Sequence, residues 1–598
     1  MHATSVFRSL ALLTAAGAVV AQGPAAPRGI ESLLPASTYA VAQFGGLAAC
    51  TDAATHLPLG RLVVDFLAKV PQDVKDERLE RGLEMAAQQV QQRLQHAGVR
   101  PADLRAMLAR PMALAMGRLT IEGMGPSVAL VIDQGNDGEA VQRVWVALVQ
   151  MAMHLHEGLA VGNSTAGDVP VQSVTLPNGF SILAGTLGNC FVVTNSRGYL
   201  AEMAAVAAGQ AKRLDRPGWV REAQDGAAAV PLAALAVNLA GINNSLRPHL
   251  PYEAEAWADA FGLGALDTIR VESVAGAHGG IDRCEVQLGG SKQGLLKAIS
   301  GRPVELGFAN ACSKNTVLFG AETIDLAALL DAGQRCFDLL PLPAREEMKR
   351  EIGRELRREL RHAGLTPAEL ERLLRAFGGS LGYALAIEPG ALPKPELLLH
   401  LAVRDADTVG ALLQRLEAMT TREAGIEWKT RRVGDHDVRF CNVQPPGADL
   451  QFSPGYVLSG DSLWMASDTA ALVRALRPDG DDRLATQPDF QELAQASRGA
   501  SSVLHVRWFR GVELGWRNVE TLLYSLVDAH ADEIGFGSDA LPDQETLAKA
   551  LGCSSLIYRV DDAGMRWEVR GPITLGTVLA GFGSLVDQVL DRASGKVF

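Results

Sequence analysis

The chain has 598 residues, 47% hydrophobic and 21% charged, close to globular averages, so neither global disorder nor a bundle of membrane spans is expected. That length exceeds one ordinary core and calls for several units or two large ones. With 56 basic against 68 acidic residues, the surface repels a phosphate backbone, which argues against nucleic acid as a partner.

Residues 1–21 read as an export signal. Arg8 is the only charge, an apolar run extends from Leu10 to Val20, and Val19-Val20-Ala21 satisfies the small-residue cleavage rule, with Gln22 as the mature start. Losing Arg8 makes the mature chain slightly more acidic. "LAAC" at 47–50 imitates a lipoprotein cleavage site, but Arg28 and Glu31 separate it from the apolar run, so lipidation at Cys50 is not expected. No later stretch has the roughly 20 apolar residues of a span. Ala227 to Ile242 is broken by Pro231 and Asn238, and Ala500 to Leu514 contains His505, Arg507 and Arg510, so both read as buried strands. The seven cysteines form no Cys-x-x-Cys pair, which predicts isolated buried thiols with one or two bridges at most.

Two phrases, "QHAGVRPADL" at 95–104 and "RHAGLTPAEL" at 361–370, begin a series of matches that recur in the same order. Leu94, His96, Gly98, Pro101, Leu104 and Leu108 correspond to Leu360, His362, Gly364, Pro367, Leu370 and Leu374 at one constant spacing. The phrase reads as a helix–helix corner. A helix ends at glycine, and Thr366, Pro367 and Glu369 supply N-cap, first-turn proline and capping-box partner for the next; Arg100 replaces the threonine in the first copy. His96 and His362 precede the glycine, where a cation suits the helix dipole, so capping outranks catalysis for them.

The helix before the second corner, "REEMKREIGRELRRELRH", pairs glutamates with cations three residues on, as in Glu346/Lys349 and Glu351/Arg354, and is expected to be solvated, with Met348, Ile352, Leu356 and Leu360 as its buried stripe. Val141, Val144, Trp145 and Leu148 then share one helix face, as do Val409, Leu412, Leu413 and Leu416, with Asp137 and Asp405 placed as N-caps. A meander follows in each copy, marked by Asn178-Gly179 and Gly188-Asn189 in the first and by Pro446-Gly447 and Gly460-Asp461 in the second. Pro217 to Trp219 is echoed by Pro488 to Phe490, and Leu263-Gly264 by Leu551-Gly552, while excess length in the second copy falls near Ala529 to Gln544. Strand runs and helices segregate, which predicts an α+β fold of two tandem copies with mainly antiparallel sheets, 22–301 and 302–598, divided near Gly301-Arg302-Pro303.

Catalytic motifs are few. Gly378 to Gly382 fits the Gly-x-Ser-x-Gly pattern around Ser380, but it follows a helix and precedes a strand, the reverse of a nucleophile elbow, so it reads as a loop. His154 and His156 would point apart on a helix. Asp528, His530 and Asp532, with Glu533, form the polar cluster best suited to a metal, or to a site assembled from distant residues. No phosphate loop occurs, Gly535 to Gly537 lacks the strand a dinucleotide site requires, and no cofactor is implied.

Leu33-Leu34-Pro35-Ala36, the strand-like Tyr39 to Phe44, and Leu57-Pro58-Leu59-Gly60-Arg61-Leu62 resemble the start of exported proteins of planctomycete-type bacteria that carry a domain of unknown function. The resemblance implies export and this architecture, and it carries no activity. The expected protein is thus a non-catalytic binding protein of the periplasm or cell envelope, with an envelope protein as partner. The alternatives are a carrier of a hydrophobic ligand such as lipid, or an enzyme whose site is not visible in sequence.

Overall fold

The computed structural model describes residues 30–69, 81–117, 126–156, 158–214, 229–276, 279–292, 294–299, 301–339, 342–362, 365–390, 393–444, 452–477, 482–531 and 537–595. The export-signal reading, Pro217 to Trp219, Gly364 and Pro446-Gly447 lie outside these residues. The chain is mixed α+β, and among the described residues twenty strands form one sheet. In chain order the first ten are β1 (Ala40–Phe44), β2 (Met112–Met116), β3 (Val128–Asp133), β4 (Ala160–Ala166), β5 (Val169–Thr175), β6 (Ser181–Leu187), β7 (Cys190–Thr194), β8 (Ala229–Asn238), β9 (Leu266–Gly276) and β10 (Gly279–Leu288). The others are β11 (Thr316–Thr323), β12 (Phe377–Glu388), β13 (Lys394–Val403), β14 (Lys429–Val433), β15 (His436–Phe440), β16 (Gly455–Ser459), β17 (Ser462–Ala466), β18 (Ser502–Arg507), β19 (Cys553–Val560) and β20 (Gly564–Gly571).

All of these strands pair antiparallel. Across the first half the order is β4, β5, β6, β7, β3, β2, β1, β8, β9, β10. Across the second it is β14, β15, β16, β17, β13, β12, β11, β18, β19, β20. Read inward from each edge, the halves follow the same course. They meet where β10 pairs with β20, and there Arg283 stands opposite Glu568 and Glu285 opposite Arg566. Both opposed pairs are ionic, at 3.0 and 3.1 Å, so charge as well as backbone hydrogen bonding fixes the register of the seam.

Local chemistry explains the elements. Gly188 and Gly460 take positive φ in the turns between β6 and β7 and between β16 and β17, where a side chain would be strained. Thr366 and Glu369 form the expected capping box at the start of the helix Pro367–Ala376, whereas Arg100 makes no side-chain cap for Pro101–Leu108. Val141, Val144 and Trp145 are buried on the helix Gly138–Leu155, against Phe191 and Val193 of β7.

The end of each half crosses the seam. The short turn Gly294–Ala298 packs on the helix Leu326–Asp338 of the second half, and the last helix, Leu575–Ala593, lies over the first half. Asp282 accepts hydrogen bonds from the backbone N–H groups of Leu575 and Gly576 at 2.6 and 3.1 Å, satisfying orphan donors at the N-terminus of that helix. Further along, Arg105 pairs with Asp587 at 2.7 Å and with Asp591, and Gly583 sits so close to Cys50 that an added Cβ would lie 2.4 Å from the cysteine Cβ. Cys50, Ala53, Leu57, Leu232, Ala275 and Ala580 form the shared core.

Several expectations are corrected. Ser380 lies within β12, not in a loop, because the glycines around it make room for neighbours: a Cβ on Gly382 would be 2.7 Å from the Phe308 ring. Asp137 makes no side-chain cap; its carboxylate is drawn to Arg110 at 2.6 Å, whereas Asp405 does cap, accepting from Thr408. Met348 is exposed on the helix Leu342–His362, not buried. The seven cysteines are isolated free thiols, but Cys284, Cys336 and Cys553 are only partly buried. Most of the extra length in the second half is helical: Trp508–Ala529 stands where the first half has Leu239–Leu246. Among the described residues no helix is long and apolar enough to cross a membrane.

Candidate functional site

Three elements of the second half bring their polar side chains together at one end of β18. This strand lies between β11 and β19, and Val503, His505 and Arg507 alternate along its buried face. Arg507 is its last residue and stands opposite Cys553, the first of β19. The helix Pro488–Ala496 begins beside them with proline in its first turn and Asp489 next, where an acidic group suits the helix dipole.

Asp489 is the hub. Arg507 donates to both its oxygens, Nε to Oδ2 at 2.6 Å and Nη2 to Oδ1 at 3.1 Å, while its Nη1 donates to the carbonyls of Lys314 and Thr316 at 2.6 and 3.0 Å. The guanidinium is thus buried, at 2% exposure, with its charge balanced and most of its donors used. His505 brings Nε2 to 3.4 Å from Asp489 Oδ2, and its Nδ1 is buried without a partner. The Cys553 thiol donates to the same oxygen from 3.7 Å.

The electrostatics limit what the cluster can do as it stands. Burial opposes the charge of Asp489, but hydrogen bonds from His505 and Arg507 and the guanidinium charge outweigh it and hold the carboxyl far below the usual range. Burial, reinforced by the Asp489 charge, pushes the Cys553 thiol up to about 12. A protonated thiol is a poor nucleophile, and a carboxylate so firmly ionised is a poor general base at neutral pH. Asp489, His505 and Cys553 are nevertheless the one group of three or more His, Cys, Asp or Glu among the described residues whose donor atoms could hold a metal ion, all within 4.8 Å of one another.

A second polar network adjoins it. Arg510 donates to Asn315 Oδ1 at 2.6 Å, and Asn315 donates to Glu388 Oε2 at 2.8 Å. Arg474 pairs with buried Glu396 and lies 3.3 Å from Glu388 Oε1, off line for a hydrogen bond. Burial pushes the Glu396 carboxyl up, partly offset by Arg474. These groups neutralise one another, as a structural network does.

Asp528 and His530 lie elsewhere, at the end of the helix Trp508–Ala529, and Asp532 and Glu533 are outside the described residues. Asp528 accepts from the backbone N–H and hydroxyl of Ser538 at 2.8 and 3.0 Å, and His530 Nδ1 meets the Leu526 carbonyl at 2.9 Å. His96 and His154 each turn Nδ1 to a carbonyl one helical turn back. In the sequence, His505 and Arg507 argue only against a membrane span. Their alternation with Val503, in a run read as a buried strand, is the signal that marks a buried charge. Comparison with known protein families, with curated proteins and with solved structures finds no match for the chain.

Proposed function

We propose that the chain is an exported protein of the bacterial envelope, built from two tandem copies of one α+β domain, 22–301 and 302–598, that binds a partner protein and performs no catalysis. The recurrence of one strand order in both halves supports the tandem reading. The observation that carries the binding role is the outer face of the last helix. Leu575, Val578, Phe582 and Leu585 recur every three or four residues on it, all about half exposed or more, and from 575 to 586 the sequence contains no charge. Val519, Leu522 and Leu526 form a similar exposed stripe on Trp508–Ala529. Contiguous exposed apolar side chains on one helix face are a feature of interaction surfaces.

A photo-crosslinker placed at Phe582 in the native envelope is expected to capture a discrete protein, and one placed at exposed, charged Glu545 is not. Equal capture at both positions, or a reproducible hydrolase or transferase activity abolished by one polar substitution, contradicts the proposal.

One observation favours a second reading, a carrier of a hydrophobic ligand. Leu326, Leu329, Leu330, Phe337 and Leu374 line an open groove of about 380 Å³, within the size range of ligand sites. Native mass spectrometry of the purified protein would show a bound lipid if this reading holds, and none if it fails.

A further inference from the structure

We propose that Asp489, His505 and Cys553 form a binding site for one divalent cation of the zinc type. A carboxylate oxygen, an imidazole nitrogen and a thiol sulfur are the donor mixture such an ion takes. Their spacing suits it as well. Zinc bonds of about 2.0 to 2.3 Å imply edges of roughly 3.3 to 3.8 Å in a tetrahedron. Asp489 Oδ2 lies 3.4 Å from His505 Nε2 and 3.7 Å from Cys553 Sγ, so two edges are in place before any ion enters.

The second observation is His505 itself. It is 3% exposed, its Nε2 faces the shared oxygen from a distance long for a hydrogen bond, and its Nδ1 has no partner. A bond from Nε2, the nitrogen that faces the site, to a cation is stronger than its long contact with Asp489 and offsets part of the cost of burying the ring, while Nδ1 on the far side stays unpartnered. The three donors also come from strands and a helix start, which hold geometry better than loops do.

Arg507 has two effects. Its fork orients the carboxylate from outside, as outer partners of metal ligands do, yet its positive charge opposes a cation. When the sulfur–metal bond forms, the thiol proton leaves to solvent, so Asp489 and Cys553 together offer two negative charges against the ion and the guanidinium. The 22% exposure of the Asp489 side chain leaves a way for water or an anion to take the fourth position. Among the described residues the first half has no equivalent, because Ala236, Asn238 and Thr268 stand where the second half has His505, Arg507 and Cys553, so one ion per chain is expected.

The test titrates the full mature chain, stripped of metal, with cobalt(II). The expected result is one equivalent bound, with the absorption of tetrahedral, thiolate-ligated cobalt, displaced by zinc and lost in Cys553→Ser. Circular dichroism without metal must match between the two proteins; if the serine variant is misfolded, Cys553→Ala replaces it. No thiolate band in the unaltered chain overturns the proposal, as does a band of equal strength in the variant, which would assign the ion to another cysteine.

Discussion

The ends of β8 and β18 occupy the same place in the two halves and carry opposite chemistry. Asn238 ends β8, opposite Thr268, and accepts from the backbone N–H of Gly241 at 2.8 Å, capping the helix that follows. Arg507 ends β18, opposite Cys553, makes no cap, and turns inward to Asp489. One backbone course therefore tolerates a neutral cap or a buried ion pair. The ion pair is not required by the fold, which is why the cluster around it is the place to look for a role of its own.

The largest effect should come from leaving the arginine without its partner. Asp489→Ala is expected to destabilise the chain by about 3 to 5 kcal/mol, because the buried charge then stands uncompensated, and urea denaturation would register it. A loss below about 1 kcal/mol would mean that Arg507 is not held as described. Next comes the helix that crosses the seam. Gly583→Val places its Cβ 2.4 Å from the Cys50 Cβ and should cost about 1 to 3 kcal/mol by overpacking, with faster proteolysis around Leu575–Ala593. In the first half, Asn238→Ala removes only a cap, about 1 kcal/mol, so its melting temperature should fall much less than that of Asp489→Ala.

The smallest effect concerns acid. The N–H and hydroxyl of Thr366, with Arg415, hold the partly exposed Glu369 carboxyl at about 2. Its folded value lies below its unfolded value of about 4.3, so its contribution is present above that pH and fades as pH falls towards 2. Urea midpoints measured from pH 5 to pH 2 should fall slightly less steeply in Glu369→Gln than in the unaltered chain; identical slopes would contradict the assignment.

Features set by short range were legible in the sequence. The Gly188-Asn189 and Gly460-Asp461 turns, the Thr366 capping box and the Val141 to Trp145 stripe each depend on a few neighbouring residues. Ser380 was misread because glycine signals both a turn and a close approach, and only the distant Phe308 and Ala402 decide between them. The pairing of β10 with β20 and the crossing of Leu575–Ala593 join residues far apart in the chain, and the apolar run from 575 to 586 names no neighbour. Half of the candidate site was visible as His505 and Arg507 on a strand. Asp489 and Cys553 were not, since only the fold brings a helix start and the first residue of β19 to them.

Amide hydrogen exchange of the full chain reads directly whether both halves share one continuous sheet. Amides of β10 and β20, across Ile281 to Val286 and Arg566 to Arg570, are expected to exchange as slowly as those of β1 and β11. Exchange as fast as that of the edge strands β4 and β14 would contradict a continuous sheet, and would describe two separate beads.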